Sequence, residues 1–131
     1  MSGRAAYGIN GTASAAEVWH EVMDCHELLS ETLNVTPTWF RSGTAHYDDV
    51  GVAIARRCGY GVAGFSVNLD AGATAPRAVV RDQLASARDG DILLAHMNQP
   101  GGQSAEGIAD GLAIALDRGL TFRHLPAPRL G

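Results

Sequence analysis

Apolar positions along this chain follow two rhythms, and the switches between them mark its elements. The first rhythm is helical. Val18, Val22, Cys25, Leu29 and Leu33 recur at three- and four-residue steps, which predicts a helix with one apolar face. Glu17, Glu21, Asp24, Glu27 and Glu31 supply an acidic opposite side. Ser14 with Glu17 has the S-x-x-E form of a capping box, so the helix opens there. Asn34 and Pro37 end it after Leu33. The opening "MSGRAAYGINGT" is Gly-rich and aperiodic and reads as a lead-in loop.

Beyond Pro37 short apolar runs alternate with helical ones. "TWFR" (38–41) reads as a strand, followed by a helix capped by Asp48 or Asp49, running through Cys58 and closed by Gly59. "GVAGFSVN" (61–68) reads as a second strand. Thr74 and Pro76 open a helix through Arg88, closed by Gly90. "DILLAH" (91–96) is a third strand, Ser104 opens a helix to Arg118 closed by Gly119, and "LTFRHL" (120–125) is a fourth strand before the tail "PAPRLG". Helix and strand in alternation predict an α/β fold with four parallel strands joined by right-handed crossovers. At 131 residues the chain reads as a single α/β domain, 1–131.

Composition narrows the chemistry. The net charge of −4 argues against nucleic acid, which selects a basic face, and leaves neutral ligands such as sugars open. All ten basic residues are Arg, so a Walker A loop or a Schiff-base lysine is excluded. Cys25 and Cys58 lack metal-ligand spacing; buried thiols are the first reading and a disulfide the second. No apolar run approaches the roughly 20 residues of a membrane span, and the N-terminal residues lack the apolar core of a secretion signal, so no membrane partner is expected. The location in the cell stays open.

Parallel α/β folds carry ligands at the carboxyl ends of their strands, and here those ends are polar: "RSGTAHYDD" (41–49), "NLDAG" (68–72) and "HMNQPGG" (96–102). Arg41, Thr44, His46, Asp48, Asn68, Asp70, His96 and Asn98 thus become candidates for one face. A histidine and a carboxylate from neighbouring strand ends are the parts of an oriented acid–base pair. The plainer reading of His96 is a satisfied core histidine at a strand end. Other candidates are weaker. Ser66 in "GFSVN" lacks the last Gly of a nucleophile elbow and sits inside a strand. His20 and Asp24, four apart, could share a metal but read more simply as a solvated face. "GINGT" (8–12) could hold an anion, though a plain turn explains it.

Three of these stretches resemble, in order, motifs of the NodB-like polysaccharide deacetylases, carbohydrate esterase family four. "LAH" (94–96), with "GDI" before it and "GLTFRHL" some two dozen residues on, resembles the family's Leu-x-His motif and its closing strand. "TPTWFRSG" (36–43) resembles the Phe-Arg-x-Pro motif, and "GYGVAGFSVNLDAG" (59–72) the strand and aspartate between them. The resemblance runs from about Ala15 to Leu125. It implies the C-terminal portion of a distorted (β/α) barrel and metal-dependent removal of acetyl groups from N-acetylated sugar polymers. His96 would be the general acid, Arg41 would orient the catalytic base, and Asp70 or Asn68 would hold His96. A backbone N–H near Thr44 would help bind the oxyanion.

The departures shape the expectation. Ser42, Gly43 and Thr44 stand where the family has Pro and then Tyr or Gly. The family's Asp-Asp strand motif and His-x-x-x-His pair have no counterpart here. The chain therefore resembles a deacetylase beginning past its metal site: no cofactor is expected on this chain, zinc belongs to the complete family fold, and this portion alone should be inactive. Expected partners are an N-acetylated carbohydrate and either a second copy or a missing N-terminal half. A non-catalytic carbohydrate-binding or assembly module is the alternative. A flavodoxin-like nucleotide-binding domain is disfavoured, because no Gly-rich loop directly follows a strand.

Overall fold

The computed structural model describes residues 14–42 and 48–129. These residues form a mixed α/β chain of four helices and short parallel strand pairs. They divide into two compact units. One holds the described residues up to Gly64 together with those from Leu125 on; the other is Phe65–His124.

In the first unit, α1 spans Ala15–Leu33. Its capping box forms as the sequence predicts: Glu17 N donates to Ser14 Oγ, and Ser14 N donates to Glu17 Oε2. The helix ends on Asn34 in the left-handed region, φ 51°, which asparagine tolerates better than most residues. Only the N-terminal half of the expected apolar stripe is covered: Val18 and Val22 are buried, whereas Cys25 and Leu33 are exposed. After β1 (Trp39–Phe40), α2 (Asp49–Arg57) is capped by Asp48, whose carboxylate accepts from Gly51 N at 2.7 Å. β2 (Gly61–Val62) pairs in parallel with β1. Val22, Ala55 and Tyr60 form the core of this unit, with Phe40, Cys58 and Val62 packed against them.

The C-terminal tail belongs to this unit. Trp39 Nε1 donates to the Pro126 carbonyl at 2.7 Å. A side chain at Gly61 would come within 2.4 Å of Pro128 and 2.7 Å of the Trp39 ring, so only glycine fits beneath them.

In the second unit, β3 (Val67–Asn68) pairs in parallel with β4 (Leu93–Leu94). Between Asn68 and Leu93 lies α3 (Arg77–Ala85), and α4 (Ser104–Asp117) follows β4. Helices α3 and α4 pack closely because α4 presents glycine there. A Cβ at Gly107 would lie 2.5 Å from Val80 Cβ, and one at Gly111 2.8 Å from both the Arg81 carbonyl and Leu84 Cβ. Leu69, Ala75, Val80 and Leu84 form the core, joined by Val67, Leu93, Ile108 and Leu112. Arg77 bridges to Asp110 across the two helices at 2.6 Å.

Three sequence expectations need correction. The run 61–68 is not one strand: it is β2 and β3, separated by residues 63–66. Ala63 N still donates to Phe40 O, but Ser66 N and Val67 N both donate to Ile92 O, so the chain changes partner midway. Residues 120–125 form no strand; they have the strand composition, yet no ladder partner among the described residues. The helix expected to reach Arg88 stops at Ala85, and Asp91 then accepts from Arg88 N at 2.7 Å to close the turn before β4. Among the described residues no helix is long and apolar enough to cross a membrane.

Candidate functional site

β3 and β4 run parallel, so their carboxyl ends lie on one side, and the chain leaves both with polar residues. Asp70 comes two residues past β3 and His96 two past β4. Asp70 is completely buried. Its Oδ1 accepts from His96 Nδ1 at 2.8 Å and its Oδ2 from the His96 backbone N–H at 2.8 Å. Ser104 Oγ, at the first residue of α4, donates to the same Oδ2 at 2.8 Å. The backbone N–H of Ala73 adds to the same stabilisation of the Asp70 charge.

The turn that follows Asp70 is unusual. Ala71 and Ala73 both lie at positive φ, 47° and 69°, with Gly72 at 71° between them, a conformation that costs an alanine about 1 kcal/mol or more. The turn is tied down at both ends. Ala71 N donates to Asn68 Oδ1 at 3.2 Å, and the Asp70 carbonyl accepts from Thr74 N and Ala75 N at 2.9 and 3.0 Å. Three hydrogen bonds thus fall on the carboxylate, one on Oδ1 and two on Oδ2.

Burial pushes the Asp70 carboxyl up, but the bonds from the His96 ring, His96 N–H, Ser104 hydroxyl and Ala73 N–H together hold it below the usual carboxylate range. An ionised Asp70 can only accept, so the proton shared with His96 sits on Nδ1. The other ring nitrogen, Nε2, is then a lone-pair base in neutral His96 and an acid in its imidazolium. Among the described residues nothing is hydrogen-bonded to Nε2, and the His96 side chain is 25% exposed. A fixed carboxylate, an oriented imidazole and a solvent-reachable nitrogen make a group that can give or take a proton.

The structure joins Asp70 with His96, and the choice between Asp70 and Asn68 as partner of His96 falls on Asp70; Asn68 spends its side chain on the Ala71 N–H. Arg41 belongs to the first unit, where it follows β1, is exposed, and donates to the Ser42 carbonyl at 3.0 Å. Thr44, His46 and the "GINGT" loop lie outside the described residues. Asp48 is a helix cap. Ser66 bonds Asp91 and the Ile92 backbone, which ties down the start of the β3–β4 pair. His26 bonds Tyr60 through Nδ1. Ser104 is the residue that sequence reasoning took only for a helix opener; its signal was a serine eight positions past His96, after a Gly-Gly loop. Among the described residues no three His, Cys, Asp or Glu side chains gather to hold a metal ion. No protein-family model matches the chain, and no curated protein matches it.

Proposed function

We propose that this chain is the C-terminal portion of a polysaccharide deacetylase-like hydrolase, acting on the amide bond of N-acetylated sugars. The observation that carries the reading is the hydrogen-bonded pair of buried Asp70 and half-buried His96, formed between residues 26 apart in sequence at the positions the motif resemblance assigns to it. The finer architecture, the C-terminal part of a distorted (β/α) barrel, belongs to the same proposal and draws support from the parallel sense of the strand pair within each unit.

In this reading Asp70 keeps the proton on Nδ1 and stabilises the imidazolium form of His96. As the C–N bond of the tetrahedral intermediate breaks, His96 Nε2–H protonates the departing sugar amine; acetate and the free amine are the products. For Arg41 the resemblance implies the orienting of a base carboxylate supplied from outside this chain, and for a backbone N–H near Thr44 a part in binding the oxyanion. The donors here do not fit a zinc ion: the Asp70 carboxylate is engaged by three hydrogen bonds, and no ligand trio assembles among the described residues. The reading therefore assigns base and metal ligands to a further segment, and no step is routed through a metal on this chain.

The test is acetate release from N-acetylglucosamine oligomers. It uses the chain joined behind a segment bearing the Asp-Asp and His-x-x-x-His motifs and supplied with zinc. His96→Ala should lower turnover by ~10²–10⁴ with little change in thermal unfolding. Unchanged turnover would make His96 merely structural. Sugar binding without acetate release by the unsubstituted protein would instead favour a non-catalytic carbohydrate-binding module.

A further inference from the structure

We propose that Ser104 is a positioning residue for His96, pinning the Asp70 carboxylate so that the imidazole is held in its Nδ1–H form with Nε2 open to a proton. The proposal deepens the proton-donor reading of His96 and rests on it only for the functional consequence.

Ser104 is 5% exposed and is the first residue of α4, one past the N-cap Gln103, so its hydroxyl is not used to cap the helix. Here the hydroxyl is committed outward. Asp70 can only accept, so Ser104 donates its proton to Oδ2 at 2.8 Å. That oxygen also receives the His96 backbone N–H, and two donors converging on Oδ2 fix the carboxylate plane. The remaining oxygen, Oδ1, is thereby aimed at Nδ1. With one donor gone the plane is free to turn about its last torsion, a soft sp³–sp² rotation, and the ring is no longer held to one tautomer.

Ser104 can hold the carboxylate because it is itself held. Its helix packs on α3 through Gly107 and Gly111. The preceding Gln103 accepts from Arg77 N at 2.7 Å, at the first residue of α3. Gly102 has no room for a side chain beneath the Ala73 carbonyl, 2.9 Å from where a Cβ would lie. The anion also sits at the amino end of a 14-residue helix, the favourable end of its dipole. A serine nucleophile is the competing idea, but Ser104 bonds the carboxylate rather than the imidazole, and it is buried.

The tautomer can be read directly, without substrate. In protein carrying ¹⁵N-histidine, long-range ¹H–¹⁵N correlation at about pH 8, where an ordinary histidine is neutral, distinguishes Nδ1–H from Nε2–H. The wild type should show His96 as Nδ1–H. Ser104→Ala should lose that dominance, with the Nε2–H form appearing, and Ser104→Thr should restore it. Ser104→Cys, close in volume but a weak donor, should fall between and guards against a packing defect in the alanine variant. A wild-type tautomer in both Ser104→Ala and Ser104→Cys, whatever their unfolding temperatures, would overturn the proposal. A chain that shows this tautomer shift yet releases no acetate in the joined protein would sink the deacetylase reading and leave the role of Ser104 standing.

Discussion

Asp70 is the residue on which the second unit's chemistry and its stability both turn. Its carboxyl titrates lower in the fold than in the unfolded chain because four donors outweigh the cost of burial. A depressed carboxylate stabilises the fold above its unfolded value, near pH 4, and loses that contribution as the pH falls through the folded value. Urea unfolding should therefore show the wild type well ahead of Asp70→Asn at neutral pH, with the gap closing as the pH drops below about 4. A gap of constant size from pH 7 to pH 3 would contradict an ionised, hydrogen-bonded Asp70. The aspartate and the histidine were legible from sequence because parallel strands present their ends together, and both residues follow strand-like runs. Ser104 was not, since a serine at a helix start reads as a cap, whereas Gln103 takes the cap position and the Ser104 hydroxyl turns to Asp70. Nor does periodicity contain the positive φ of Ala71 and Ala73.

At the scale of elements, helix ends were the most readable feature. Ser14 and Glu17, Asn34, Asp48 and the glycines at 59 and 119 act through their own backbone neighbourhood, and the information lies within a few residues. Strands were less readable, because a strand is defined by its partner. Residues 61–68 keep a strand-like composition while the hydrogen bonding passes from Phe40 to Ile92. Residues 120–125 have the composition but no ladder partner among the described residues. The α3–α4 packing gives a sharp test. Gly111→Ala should gain about 1 kcal/mol in helix propensity but lose about 1–3 kcal/mol by forcing a Cβ to within 2.8 Å of the Arg81 backbone oxygen. A net loss is expected, seen as a lower Tm, whereas Gly101→Ala, with nothing within 4 Å, should change little. A more stable Gly111→Ala protein would show that the helices are not in close contact there.

For the molecule as a whole, the strand pairs set an expectation of association. β3 and β4 each have one ladder neighbour among the described residues, and Phe65, Ile92 and Met97 nearby are 41%, 38% and 99% exposed. Open parallel edges and exposed apolar side chains are normally covered in α/β proteins. Sedimentation velocity should show self-association rising with concentration, and a strict monomer at every concentration would contradict it. The central claim, that Asp70 and His96 work as one acid–base unit in amide cleavage, is met most directly by a double-substitution cycle on acetate release in the joined protein. Groups that act as a unit are far from additive. Asp70→Asn together with His96→Ala should slow turnover no more than His96→Ala alone; two losses that simply multiply would mean that the two residues act separately.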